Sequence, residues 1–195
     1  MELVTEAWGP AGDPARHLSL RELREGLEAL PPAPRDGGWL RLICVRHPDG
    51  QRSTPEQARL DEEHGLPEDG WTRRRPRKRD AQLAVAQFDV ASLIANGQSL
   101  TLGGDNLIVE LDLAQENLPV GSRLMVGEAE VVVTPEPHNG CAKYHERFGA
   151  DALRFVNDRP LRHRNLRGIY WRVLRGGAIW RDAPVQVIER AVTRS

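Results

Sequence analysis

Leu107-Ile108-Val109-Glu110-Leu111-Asp112-Leu113 is the stretch from which the fold is read. Leu107, Val109, Leu111 and Leu113 fall on one side and Glu110 and Asp112 on the other, the period of two that marks a half-buried strand. Toward the C-terminus the same texture recurs in Leu124-Met125-Val126, Ala129 to Thr134, Gly168 to Leu174, Ala178 to Trp180 and Val185 to Ile188. Gly127-Glu128 and Arg175-Gly176-Gly177 supply turns. Toward the N-terminus, Gln82 to Ala86 and Trp39 to Val45 read as strands, the latter stopped by His47-Pro48-Asp49-Gly50. Many short strands with Gly, Pro and Asp turns and few helices predict a mainly β chain closed as a β-barrel.

Helical signals are fewer. Ser19 and Glu22 have capping-box spacing ahead of Leu23, Leu27 and Leu30, and Pro31-Pro32 stops that helix. Asp89 is placed to cap a short helix through Ala95, closed by Asn96-Gly97. Residues 51 to 70 are polar and turn-rich, and a polar, partly helical insert covers 135 to about 160. The division that follows is a lead-in and helix over 1–36 packed on the barrel, a barrel domain over 37–189, and a tail over 190–195.

Composition narrows the function classes. A hydrophobic fraction of 39% with net charge −1 suits a globular chain rather than a disordered one or a general polyanion binder. The two cysteines, Cys44 and Cys141, are far apart and too few for a secreted disulfide framework. Met1 to Pro10 has an early acid and no apolar core of a signal peptide, and no apolar run approaches the roughly 20 residues of a membrane span. These features predict a cytoplasmic protein with free thiols and no membrane partner.

Chemistry concentrates in Pro135-Glu136-Pro137-His138-Asn139-Gly140-Cys141-Ala142-Lys143-Tyr144-His145. The prolines end a strand, Asn139-Gly140 makes a tight turn, and Cys141 to Phe148 reads as a helix with Gly149 at its C-terminal end. That places Cys141 in a first turn, where free N–H groups and the positive dipole end favour a thiolate, the form that acts as nucleophile and metal ligand. His138 and Lys143 are near enough in sequence to add positive charge. Two other readings stand beside this one: Cys141 as an inert packed residue, and His138, Cys141 and His145 as the start of a zinc site without an evident fourth ligand. Cys44, inside an apolar strand, fits the inert role.

Gly104-Asp105-Asn106-Leu107, followed by Asn117-Leu118-Pro119-Val120-Gly121-Ser122-Arg123-Leu124-Met125-Val126-Gly127, resembles the G-[DE]-N-L loop and N-L-x-x-G-x-x-L-x-x-G turn of the molybdenum cofactor sulfurase C-terminal (MOSC) domain. Pro137 to Lys143 is similar to its P-H-x-G-C-x-K cysteine motif, and Arg154-Phe155-Val156-Asn157 and Arg167-Gly168-Ile169 continue the pattern of one stand-alone bacterial-type subgroup. Gly176 to Asp182 resembles the closing G-x-[VI]-x-x-G-D more loosely, with Ala178 and Arg181 departing from it, and the family's G-D-R-W appears as Glu68-Asp69-Gly70-Trp71. Tyr170-Trp171 stands where smaller residues are common. The likeness covers about residues 37 to 189. It implies a MOSC-type barrel that binds a molybdenum cofactor (molybdopterin) or carries sulfur, with an oxidoreductase or sulfur transferase as the enzyme it would be. Cys141 would then ligate molybdenum or carry sulfur and His138 would tune it. Asn106, Asn139, Lys143 and Arg167 would contact the cofactor, Arg167 facing a pterin phosphate through its bidentate fork. The chain has no room for a pyridoxal phosphate domain, so a sulfur donor or a redox partner would be a separate protein.

A different class of function attaches to Arg73-Arg74-Arg75-Pro76-Arg77-Lys78-Arg79, six cations in seven positions. The alternative is a non-catalytic metabolite-binding module, or a nucleic-acid-binding one that uses this run, although no base-reading motif accompanies it. The plain reading of the run is a mobile, solvated loop.

Overall fold

The computed structural model describes residues 9–192. Its strands are β1 (Gly37–Ile43), β2 (Val45–Arg46), β3 (Arg52–Ser53), β4 (Gln57–Leu60), β5 (Leu83–Gln87), β6 (Leu107–Glu110), β7 (Arg123–Val126), β8 (Ala129–Val133), β9 (Ile169–Arg175), β10 (Gly177–Trp180) and β11 (Pro184–Glu189). Three helices, α1 (Leu20–Ala29), α2 (Phe88–Ala95) and α3 (Ala142–Val156), are joined by short 3-10 turns. Seven strands close a barrel in the order β1-β11-β7-β8-β9-β5-β6. All neighbours are antiparallel except β5 and β6, which run parallel because α2 crosses over between them. The predicted mainly β barrel is the fold observed.

Alternation fills the barrel. Ala129, Val131 and Val133 on β8 and Ile169, Trp171 and Val173 on β9 point inward beside Leu107 and Val109. β6 is buried on its outer side too: Ile108 is covered because α2 packs on β5 and β6. The strand ends at Glu110 rather than continuing to Leu113. Asp112 accepts the Ala114 N–H at 2.9 Å and Asn117 Nδ2 donates to the Asp112 carbonyl at 2.8 Å, so side chains replace the ladder while Leu111 and Leu113 stay buried.

A second apolar cluster lies outside the barrel, where α1 packs on α2 and α3 through Leu23, Leu27, Ile94, Phe148 and Phe155. The Ser19–Glu22 capping box forms as predicted. Asp89 does not cap α2: Gln87 occupies the N-cap, and Asp89 sits in the first turn accepting the Val90 N–H at 2.7 Å. Asn96 closes α2 with a left-handed φ of 45°. Within residues 51–70, read as polar turns, β4 pairs with β10 as a small flap, with Leu60 buried beneath it.

The basic run lies on the surface and is attached to it at several points. Its Arg75–Pro76 bond is cis. Arg73 donates to the Arg46 carbonyl at 2.8 Å, Arg77 stacks over Trp71, and Lys78 pairs with Glu136 at 2.8 Å. Arg74, Arg75, Lys78 and Arg79 are exposed, as the solvated reading expects, while a buried Trp71 and backbone acceptors hold the partly buried Arg73 and Arg77.

Candidate functional site

The Pro135–Gly140 segment leaves β8 and crosses one end of the barrel before α3 begins. Gly140 is fastened by Asn157, whose Oδ1 accepts its N–H at 3.0 Å and whose Nδ2 donates to its carbonyl at 3.3 Å. Cys141 is the N-cap of α3, with extended backbone (φ −132°, ψ −177°), rather than a residue of its first turn. Its side chain makes no capping hydrogen bond and the residue is exposed. The inert packed reading therefore falls on Cys44, which is fully buried and whose thiol is pushed up to about 11 by burial. The predicted first helix ends at Gly149 (φ 89°, ψ 169°), where α3 kinks, and a second helical stretch follows directly to Val156.

Cys141 stands at the rim of a cavity of about 290 Å³. Arg46, Arg52, Arg74, Arg147, Arg167 and Lys143 line it, with no carboxylate among its described lining residues. A larger cavity of about 700 Å³ lies across the same loop and shares His138, Asn139 and Arg167 with the first. The thiol and most of the cations meet in the smaller one.

Two of the arginines are matched by carboxylates in the wall behind them. Arg46 Nε donates to Asp69 Oδ1 at 2.8 Å, its Nη2 pairs with Asp69 Oδ2, and Nη1 reaches the Gly104 carbonyl at 3.3 Å. Burial raises the Asp69 carboxyl, but the Arg46 hydrogen bonds and charge outweigh it and hold the group at about 2. Arg167 Nη1 donates to Asp105 Oδ1 at 2.7 Å and Nη2 to the Gly103 carbonyl at 3.2 Å, with the guanidinium 4.8 Å above the Tyr144 ring. Burial opposes its charge, yet the Asp105 carboxylate raises its pKa further.

Arg52, partly buried, and Arg147, buried, differ. Burial lowers Arg52, and burial together with the Arg52 charge lowers Arg147 to about 10. Both remain cations at neutral pH.

His138 lies against the Tyr170 ring, centroids 4.4 Å apart, with Nε2 3.7 Å from Asp105 Oδ1. Its side chain is 6% exposed, and burial first, then the charges of Arg167 and Arg46, push its pKa well below the ordinary histidine value. The expected positive charge on His138 is corrected: the ring is neutral at pH 7, and positive charge beside Cys141 comes from arginines distant in sequence. Its buried Nδ1 has no hydrogen-bond partner.

Asn106 does not line the cavity. It is fully buried, its Oδ1 accepting from the Ala84 N–H at 3.0 Å and Arg46 Nη2 at 3.3 Å while Nδ2 faces the Cys44 carbonyl at 3.4 Å. It joins three strand ends and orients Arg46. Asn139 and Lys143 do line the cavity. The structure thus brings His138, Asn139, Cys141, Lys143 and Arg167 together and leaves Asn106 behind the wall. Sequence reading missed Arg46, Arg52, Asp69 and Arg147. Arg147 carried a signal: it interrupts the buried α3 stripe of Tyr144, Phe148, Ala152 and Phe155. Asp69 carried another, as the acid of the altered G-D-R-W segment. His145 is exposed, and the described residues contain no cluster of three His, Cys, Asp or Glu able to hold a metal ion.

A seven-stranded barrel with a cysteine loop over a cationic cavity has the MOSC-like fold. The crystal structure of YuaD from Bacillus subtilis aligns with 80% of this chain and 97% of its own at a TM-score of 0.60 and 16% identity. YiiM from Escherichia coli aligns with 80% of this chain and 73% of its own, with a TM-score of 0.51 and 20% identity. A structure described as a hypothetical protein aligns over 81% of this chain and 71% of its own (TM-score 0.59, 17% identity). No family model and no curated protein matches the sequence. Among the described residues no helix is long and apolar enough to cross a membrane.

Proposed function

We propose that the protein binds an anionic molybdenum–pterin cofactor, or carries sulfur for metal–sulfur centres, with Cys141 as its soft ligand or nucleophile. One observation supports this above the rest: an exposed thiol at the rim of a cavity lined by five arginines and a lysine. A thiolate is the ligand type that soft metals take, and guanidinium groups recognise phosphate. The residues fit such a group: backbone glycines at 103 and 104 form one wall, and the lining side chains carry positive charge suited to an anion.

Each residue has a distinct task. Cys141 would supply the sulfur and Lys143 and Asn139 would close over the bound group. Arg167, oriented by Asp105, would present a fixed cation, and Asp69 would do the same through Arg46. Neutral His138, stacked on Tyr170, would offer a hydrogen bond without adding charge. A bound cofactor would contribute a metal able to change oxidation state. Free thiols suit a reducing cytoplasm, and a sulfur donor or redox partner would be a second protein.

The test is metal and pterin analysis of protein purified from a host that makes the cofactor, beside Cys141→Ala. Molybdenum and pterin should co-purify with the wild type, with molybdenum lost from the variant. Full molybdenum retention by Cys141→Ala would sink the ligand role.

A further inference from the structure

We infer that the end of the barrel bearing the cysteine loop is a docking face for the acidic surface of a partner protein; that such a partner serves Cys141 rests on the reading above, and the face itself does not. The chain has a net charge of only −1, yet six of its arginines stand unmatched at this end. Exposed Arg74, Arg75, Arg79, Arg159, Arg162 and Arg164 form no ion pair among the described residues. Neighbouring carboxylates already hold other cations: Asp80 holds Arg172, Glu136 holds Lys78 and Asp158 holds Arg24, at 2.8 to 3.2 Å. Two ties gather the arginines around the loop. Lys78 fastens the 74–79 segment to Glu136, and Asn157, bonded to both backbone groups of Gly140, fastens the Arg159–Arg164 turn on the other side. Arg74 accordingly lines the smaller cavity and Arg162 the larger, and both cavities touch His138 and Asn139.

The surroundings of these cations favour a protein over a nucleic acid. Val120 and Val192, 54% and 88% exposed, line the same cavity as Arg162. Apolar contacts ringed by charge are the make-up of a protein interface. A nucleic-acid single strand needs aromatic faces on which its bases stack. The exposed tryptophans among the described residues, Trp39 and Trp180, stand instead where β8 begins: Trp39 pairs with Pro184, whose carbonyl accepts the Gly127 N–H, and a Cβ on Gly127 would lie 3.0 Å from Trp180. The cysteine loop leaves β8 at the opposite end. A duplex needs a continuous cationic track, whereas here Pro135, Glu136, Pro137 and Asn139 interrupt the two arginine groups. Divided groups of this kind match separate carboxylates on a folded surface, steering its approach and fixing its orientation over the exposed thiol.

Interferometric titration with a plant-type ferredoxin, a small acidic iron–sulfur protein, tests the face. The variants are Arg75→Glu with Arg79→Glu, and Arg159→Glu with Arg164→Glu; none of these four residues lines either cavity. Arg59→Glu with Arg181→Glu makes the same change of charge on the β4–β10 flap. At about 0.1 M salt each face variant should bind at least about tenfold more weakly than wild type. The flap variant should stay within about twofold, because charges beyond a screening length of about 10 Å count little. Near 1 M salt, where that length falls to about 3 Å, wild type and face variants should converge. The matching glutamine variants remove charge without reversing it and should lose less. Bound ferredoxin should also slow alkylation of Cys141 by iodoacetamide severalfold in wild type and not in the face variants. Absent ferredoxin binding, or equal affinity in wild type and either face variant, overturns the docking face. So does a random RNA duplex that binds more tightly than ferredoxin through the same arginines, which would assign the surface to nucleic acid. Molybdenum and pterin content should be unchanged in the face variants, so a failed docking test leaves the cofactor reading standing, and a protein purified without molybdenum leaves the face standing.

Discussion

The barrel interior and the cavity at its end are built on opposite terms. Inside the barrel Leu107, Val109, Trp171 and Val173 exclude water with almost no polar atoms to satisfy. At the cavity end, buried Arg147 and partly buried Arg46 and Arg167 lie near Asp69, Asp105 and His138, each polar group demanding a partner. The first region gains stability from area removed from water and the second holds its charges by pairing them. The difference teaches that the barrel and the charged cavity draw on separate residues, and that the two regions should fail in different ways.

The comparison is broken most severely in the barrel. Trp171→Ala, at a fully buried site, should lower unfolding free energy by about 4 kcal/mol in urea denaturation; a loss under about 1 kcal/mol would mean the interior is not packed as described. At the cavity end Asp69→Asn strands a buried guanidinium and should cost about 3 kcal/mol. Replacing both members, Arg46→Met with Asp69→Leu, should recover most of that loss, which a purely apolar region would not do. A third expectation concerns acid. Asp69 sits at about 2 in the fold against 3.8 when unfolded, so its contribution is complete above pH 3.8 and lost as pH falls toward 2. That contribution is about 2 kcal/mol, seen as a slope in stability against pH that Asp69→Asn should flatten. The smallest effect lies outside both regions: Ser19→Ala removes the α1 capping box and should cost about 1 kcal/mol, measured by thermal unfolding.

The same division explains what the sequence made legible. Strands announce themselves through period-two alternation, so β8, β9 and β11 were readable to within a residue or so, and Ser19 and Asn96 marked helix ends by local chemistry. Where side-chain bonds displaced the ladder, as at Asp112 and Asn117, the pattern ran past the true end of the strand. The cysteine loop was local and found; its electrostatics were not. Arg46, Arg52, Arg147 and Arg167 are brought together from β2, β3, α3 and the turn before β9, and no short-range pattern reports such a meeting. His138 illustrates the cost: its sequence neighbours suggested a cation, whereas burial and two distant arginines keep it neutral.

Strand β11 is the keystone of the closure, because it pairs with β1 on one side and β7 on the other. A ribosome must therefore synthesise the chain through β11 before the ring can shut, and until then β1 and β7 present bare edges to neighbouring nascent chains. Contacts so distant along the chain also slow the search for the native topology. A chain cut short ahead of Pro184 should aggregate rather than accumulate as a smaller folded body, a vulnerability set by the order of synthesis and not by any residue of the cavity.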